Sequence, residues 1–517
     1  MSCKERRQAK RTARDIKTAC GIIEGATRYA PYEPRKRSQP NRKGGCAPTE
    51  EDSAEMAGRA AGILRVILPG ILEVLSDIPD PRSISRIEHV LPAVMLYGII
   101  MFLGQSRSRR RANEEVAVAG LLGLVGEIVP GAESLPHADT LARLLSDIGE
   151  DELEARYAKL LKAFIASKQF RELNPGKLTV ACDGTLKFAR GYEWDERALR
   201  QNVGVDGKER HYVYLLESVL IMGNGVTLPL LTEFLENDPG NANGADSGGC
   251  EVGAAAKKQD CETKAFKRLA KRLAKLIGTG TAILLLDGIY ASGPVISLCN
   301  LYGWDYMITL KEGSLPSVWE DFTGLQKMDD GCRHVAEQRG RKQEYRWSNG
   351  LYYTYGNNNA PLHLNVVTCT ETWEEGHARS GGKPEIKSTR YAWLSSVKVS
   401  EKNVIERCML GRSRWRIENG FHVEKHRGYY YSHCFSYDWG AMRGFHCLMK
   451  FGVFINSLLL HSDGLVEYAN AGSKDGFIGK LWEAFRHGGW PGRPDNVNPP
   501  GGVKRRRRRS IFPELAA

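Results

Sequence analysis

Lys177–Thr185 reads KLTVACDGT. Its first six residues, Lys177–Cys182, form a short β-rich run that passes straight into Asp183-Gly184-Thr185. Outward from it, His211–Met222 and Val226–Leu235 are β-branched and apolar, and Gly223-Asn224-Gly225 between them is a hairpin turn signal. Asn237–Gly253 is rich in Gly, Asn and Ala and reads as a flexible loop. Cys261–Gly278 has the period of an amphipathic helix. Phe266, Leu269, Leu273 and Leu276 lie inward, while Lys264, Lys267, Arg268, Lys271, Arg272 and Lys275 lie outward. Thr281–Leu286 (TAILLL) is a buried type of strand ending in Asp287-Gly288. A helix near Pro294–Tyr302 and a strand at Tyr306–Leu310 follow. Strand, hairpin, helix and strand in this order predict an α/β layer. Sites in such layers gather beyond the carboxyl ends of strands, where Asp183 and Asp287 are expected. A single Asp-Gly is most often a turn. Two of them closing apolar strands say more.

The flanks divide by pattern. Residues 1–54 are basic, carry Pro and Gly, and read as a disordered arm. Residues 55–170 are helical in period and read as an all-helical DNA-binding domain: Met56–Leu75 with a break at Pro69-Gly70, then Ile87–Leu103, Glu114–Ile128, Thr140–Ile148 and Leu153–Phe164. Arg107–Arg111 (RSRRR) is either a solvated loop or a phosphate grip. Residues 171–319 and 402–461 make the α/β core, and 320–401 a β-rich insertion with Asn/Gly turns. Residues 462–517, ending in the Arg505–Arg509 run, read as a flexible basic tail.

The chain has 517 residues, 42% apolar and 26% charged, as expected for globular domains with cores of their own. Its 73 Lys+Arg against 61 Asp+Glu leave a formal +12 and a pI near 9.0. That balance favours a polyanionic partner, nucleic acid before an anionic membrane surface. Twelve cysteines are scattered without a CxxC pair, which argues against a zinc ribbon and for a reducing cytoplasm. No secretory signal follows the basic N-terminus. The apolar run Val90–Leu103 contains Pro92 and is short for a bilayer, so no membrane association is expected.

Gly411–Gly428 (GRSRWRIENGFHVEKHRG) supplies a third acid. On a helix Glu418 shares a face with Arg414, four residues before it, and with Lys425, seven after. Alone, this is equally a solvated helix with i,i+4 ion pairs. With Asp183 and Asp287, Glu418 completes an all-oxygen set suited to Mg²⁺ or Mn²⁺.

LTVACDGT, LLLDGIYAS and RWRIENGFHVEKH resemble the DDE transposases of bacterial insertion sequences, whose catalytic domain has the ribonuclease H fold. The resemblance spans about Lys177 to Leu460. The subfamily with a β-rich insertion before the glutamate carries Tyr-x2-Arg-x3-Glu-x6-Lys, and Arg414, Glu418 and Lys425 fall on its last three positions. Gly411 stands where those relatives have tyrosine. The resemblance implies a ribonuclease H-like core. It makes Asp183, Asp287 and Glu418 the catalytic ligands of two Mg²⁺ ions, for which Mn²⁺ substitutes. Arg414, Lys425 and Arg416 would hold DNA phosphates. The implied partner is double-stranded DNA, at element ends and target, bound by a homodimer in the cytoplasm at the nucleoid.

His422, His426 and His433 read as structural or phosphate-contacting, because hard Mg²⁺ prefers oxygen. Asp195, Glu196 and Asp206 read as loop surface, and Glu262 as a helix-dipole partner. Tyr290, Trp304, Trp415 and Tyr429–Tyr431 read as core, with one of them a candidate for stacking on a flipped base. Two function classes compete: an active transposase, and a DNA-binding protein that has kept the fold without the chemistry.

Overall fold

Two patterns divide the folded chain: helices alone up to Leu173, and strands interleaved with helices from Leu178 onward. A computed structural model describes residues 50–492, apart from 117–118, 204–206, 224–225, 238–259, 329–331, 339, 357–360, 376–384 and 472–473. The expected arm before residue 50, the Arg505–Arg509 run and most of the Asn237–Gly253 loop lie outside the described residues.

The helical region comprises α1 (Glu50–Ser76), α2 (Leu91–Leu103), α3 (Arg109–Glu115), α4 (Ala119–Ile128), α5 (Ala138–Asp147), α6 (Glu152–Ile165) and α7 (Lys168–Leu173). The expected break at Pro69-Gly70 does not occur. Pro69 sits inside α1, where Leu64, Leu68, Ile71 and Leu75 form one buried stripe. Helix α2 begins where Pro92 is tolerated, in the first turn, and twelve of its thirteen residues are buried.

Next come β1 (Leu178–Arg190), β2 (Leu199–Val203), β3 (Lys208–Ile221), β4 (Thr227–Leu235), α8 (Glu262–Ile277), β5 (Ala282–Leu286), α9 (Gly293–Leu301) and β6 (Asp305–Thr309). Helix α10 (Pro316–Met328) leads to β7 (Arg333–Gln338), β8 (Arg341–Tyr353), β9 (Leu362–Glu375) and β10 (Glu385–Ser395). The chain closes with α11 (Val404–Arg412), α12 (Trp415–His426), α13 (Trp439–His461), α14 (Val466–Ala471) and α15 (Lys474–Gly488).

The architecture is mixed α/β. A single mixed sheet runs in the order β2-β3-β1-β5-β6-β10-β9-β8-β7, with β4 also on the outer edge of β3. Strand β1 is antiparallel to β3 and parallel to β5, and β5 is parallel to β6. Strand β10 joins β6 through Trp393↔Thr309 to Ser395↔Met307, so the β-rich segment extends the same sheet. Strand β8 runs through a register shift between Ser348 and Leu351, where Gly350 has φ +74°.

Helix α13 ties the regions together. Phe451 and Phe454 meet Tyr157 of α6 edge-on at 4.8 and 6.3 Å, and Asn456 Nδ2 donates to the Leu103 carbonyl at 3.2 Å. The expectation of a flexible tail from residue 462 is corrected for the described part. Helices α14 and α15 are folded, Trp482 and Phe485 are buried, and Arg486 donates to the Gly104 carbonyl at 3.0 Å. Glycine is frequent there, but one buried aromatic stripe suffices to dock a helix. Among the described residues no helix is long and apolar enough to cross a membrane.

Candidate active site

Strand β1 does not stop at Cys182 as expected. Its antiparallel ladder with β3 continues through Asp183↔Glu217 to Arg190↔His211. Its parallel ladder with β5, however, ends at Cys182↔Leu286. Asp183 and Asp287 are therefore each the first residue past the same parallel pair, and the two aspartates stand side by side. Lys311, just past β6, completes the row: its Nζ donates to Asp287 Oδ2 at 2.8 Å.

Glu418 comes from the other side, on α12. Helix α11 ends at Arg412, and Ser413 and Arg414 keep helical backbone angles through a tight junction. In that junction Arg416 N and Ile417 N bond the carbonyls of Ser413 and Arg414, at 3.1 and 3.0 Å. Buried Ile417 and Phe421 fix this face of α12 onto the sheet. The Arg414 guanidinium then reaches all three carboxylates. Nη1 lies 3.1 Å from Asp183 Oδ2, while Nη2 lies 2.8 Å from Glu418 Oε1 and 3.8 Å from Asp287 Oδ1. Lys425 Nζ donates to Thr185 Oγ1 at 2.6 Å, which puts a second cation two residues along β1 from Asp183. Arg416 is half-buried in the first turn of α12, two positions from Arg414 and so on a different face.

The charge balance tunes the acids apart. Burial pushes Asp183 up to about 6, against the pull of Arg414 and the Gly184 N–H, with Asp287 and Glu418 pushing the same way as burial. Burial also raises Asp287, but the Lys311 hydrogen bond, the Gly288 N–H and Arg414 outweigh it and hold this group below the usual range. Burial lowers Lys425. Three carboxylates are paired with two cations, Arg414 and Lys311, while Lys425 bonds Thr185 beside them. All the cluster's donors are oxygen, the chemistry of a hard divalent cation. In this state a guanidinium stands among them instead. Among the described residues no three His, Cys, Asp or Glu side chains are grouped closely enough to hold a metal ion. Arg414 occupies the space between Asp183, Asp287 and Glu418.

Gly411, where the resemblance departs from its signature, faces an indole. A Cβ there would come within 2.6 Å of Trp393 Nε1, so a tyrosine has no room. Beside it, Arg412 pairs with Glu371 of β9 at 2.8 Å and lies over the Tyr391 ring at 4.4 Å, binding the extended sheet to α11.

Behind the carboxylates lies a second polar cluster that sequence reasoning missed. Glu217, opposite Asp183 on β3, is 1% exposed. It accepts from Tyr431 OH at 2.9 Å and Thr232 Oγ1 at 2.8 Å, and it meets Lys450 Nζ at 3.0 Å and His446 Nε2 at 3.1 Å. Lys450 also donates to Glu424 at 2.8 Å. Lys187, at a β-bulge of β1, donates to the Tyr431 carbonyl at 2.9 Å. Burial, reinforced by Lys450, lowers Lys187 to about 7, and burial with Lys187 lowers His446 to about 3. Lysines inside the strand Leu178–Arg190 and the apolar helix Trp439–His461 are the signal that could have found it, because a lysine is rarely buried without a partner.

The remaining candidates disperse. His422 and His426 are exposed, with their rings 5.0 Å apart and tilted at 53°, while His433 Nδ1 accepts from Phe435 N at 2.9 Å. Asp195 pairs with Arg197, Asp206 lies outside the described residues, and Glu262 accepts from Tyr214 and Tyr290 at 2.8 and 3.0 Å. Tyr290, Trp304, Tyr429 and Tyr431 are buried, whereas Trp415, beside Arg414, is 57% exposed. The RSRRR cluster opens α3 rather than a loop, and Arg109, Arg110 and Arg111 pair with Asp139, Glu114 and Glu115. No protein-family model matches the chain, and no curated protein matches its sequence.

Proposed function

We propose that this protein is a DDE transposase that cleaves DNA at the ends of an insertion sequence and transfers the strand into target DNA. The convergence of Asp183, Asp287 and Glu418 on one guanidinium, from two strands and a helix far apart in sequence, carries this reading. The order β4-β3-β1-β5-β6, antiparallel then parallel with an aspartate on the central strand, supports a ribonuclease H-like core.

Asp183, Asp287 and Glu418 would hold two Mg²⁺ ions, or Mn²⁺ in their place. These supply Lewis-acid stabilisation of the attacking and leaving oxygens in an in-line displacement at phosphorus. The chain's own residues do the rest. Arg414, released from the carboxylates, offers paired N–H donors that match a phosphate, and Lys425 offers a point charge on the same helix face. Arg416 is a further phosphate contact from the neighbouring face. Trp415 is the aromatic residue at the site with a free face for a base. Two element ends must meet, so the working species is a homodimer on DNA, in the cytoplasm at the nucleoid.

The test is Mg²⁺-dependent cleavage of duplex DNA carrying the terminal repeats that flank the reading frame, wild type against Glu418→Ala. Cleavage by the wild type alone supports the reading. Binding without cleavage by both proteins would leave a DNA-binding protein without the chemistry, and equal cleavage by both would reject the site.

A further inference from the structure

The RSRRR cluster, the conspicuous basic motif of the helical region, is largely neutralised by its own acids. Helix α8 is the opposite case. Lys264, Lys267, Lys271 and Lys275 are all exposed and follow one another within a narrow arc of the helix. Among the described residues none of the four has an ion-pair partner.

The helix that carries them is held rigidly. Phe266, Leu269, Leu273 and Leu276 are buried beneath it. Its other cations are used as anchors: Arg268 pairs with Glu233 and Asp260, and Arg272 with Glu154 and Glu233. The only acid of α8, Glu262, turns inward to Tyr214 and Tyr290. The outer face is thus a straight line of four fixed, uncompensated positive charges about 16 Å long at 1.5 Å per residue. The line also has a defined start. Glu262 accepts from the hydroxyl of Tyr290, three residues past Asp287, and a Cβ on Gly184 would come within 2.7 Å of its carboxyl, so the first turn of α8 lies next to Gly184, the neighbour of Asp183. From there the stripe leads away on the sheet face opposite α12.

We infer that this stripe is a second DNA track, which grips the phosphate backbone of duplex lying beyond the cleaved bond on the far face of the sheet. The inference rests on the transposase reading for the identity of its polyanion. Duplex DNA suits the feature because its phosphates form a regular line of charge, whereas an acidic protein segment would need no 16 Å row.

Two variants of equal charge change test it. One carries Lys264→Gln, Lys267→Gln, Lys271→Gln and Lys275→Gln. The other carries Lys327→Gln, Lys398→Gln, Lys402→Gln and Lys480→Gln, exposed lysines scattered elsewhere. Binding to linear duplex of unrelated sequence is measured from low to moderate salt. If each stripe lysine covers one phosphate, the slope of log affinity against log salt loses about 3–4 in magnitude, 0.9 for each phosphate. The scattered variant loses much less. An unchanged slope in the stripe variant, or an equal loss in both variants, overturns the track and leaves the transposase reading standing. The same holds if only binding to phosphatidylserine vesicles drops. A wild type that binds no duplex overturns both.

Discussion

The site cluster and the cluster behind it meet at one cross-strand pair, Asp183 of β1 and Glu217 of β3, and solve opposite electrostatic problems. At the front, Asp183, Asp287 and Glu418 share Arg414 and Lys311. At the back, Glu217 and Glu424 share Lys450, Lys187 is held on the Tyr431 carbonyl beside them, and Tyr431, Thr232 and His446 fill the remaining hydrogen-bond capacity of Glu217. Buried charges persist when paired and fully hydrogen-bonded. The back cluster meets that condition and is complete. The front cluster has one carboxylate more than the cations paired with it and is more open to solvent.

The contrast breaks most visibly on activity. Glu418→Gln is expected to cut cleavage by at least about 10³-fold, the scale on which members of a catalytic unit act, while urea denaturation stays close to wild type. Next in size, Lys450→Met strands Glu217 and Glu424 without their shared cation and is expected to cost about 3–5 kcal/mol in urea denaturation. Millimolar Mg²⁺ should not restore it. Arg414→Gln is the front-cluster counterpart. Its expected loss is about 1–3 kcal/mol in EDTA, recovered when Mg²⁺ is added, because an ion can take the place the guanidinium leaves. Recovery of Lys450→Met by Mg²⁺, or none for Arg414→Gln, would erase the distinction between the clusters.

The smallest effect is on pH. Asp183, raised to about 6, must lose its proton to bind a cation, so cleavage should fall about tenfold per pH unit below 6 and level off above it. The stability sign runs the other way. A carboxyl whose folded pKa is raised contributes stability that is full below the ordinary carboxylate range and is lost as pH rises through about 6. Thermal melts in EDTA should therefore decline across that interval in wild type and flatten in Asp183→Asn.

Most of the fold was legible because hydrophobic period dominates where both faces of a strand or one face of a helix are buried. KLTVAC, TAILLL and the helix 261–278 all read correctly for that reason. The errors fall where tertiary pairing overrides local signals. Strand β1 runs on past Asp183 because β3 continues to pair with it, and Pro69 fails to break α1 because the stripe on either side stays buried. At the site, the i,i+4 spacing put Arg414 on Glu418 from sequence alone. Lys311 was not legible, since its role depends on β6 lying beside β5. Nor was the fit of Trp393 against Gly411, which joins positions on two separate elements.

The hydrogen bonds from Asn456 to Leu103 and from Arg486 to Gly104 close loops of 353 and 382 residues. During synthesis the apolar helix Leu91–Leu103 leaves the ribosome long before Trp439–His461, the helix that covers it. At about 5–20 residues per second that interval is roughly 20–70 s. For that time the nascent chain displays the most hydrophobic face it owns, and its solubility depends on a chaperone or on temporary shelter by the neighbouring helices. Truncation anywhere before residue 439 would make that exposure permanent.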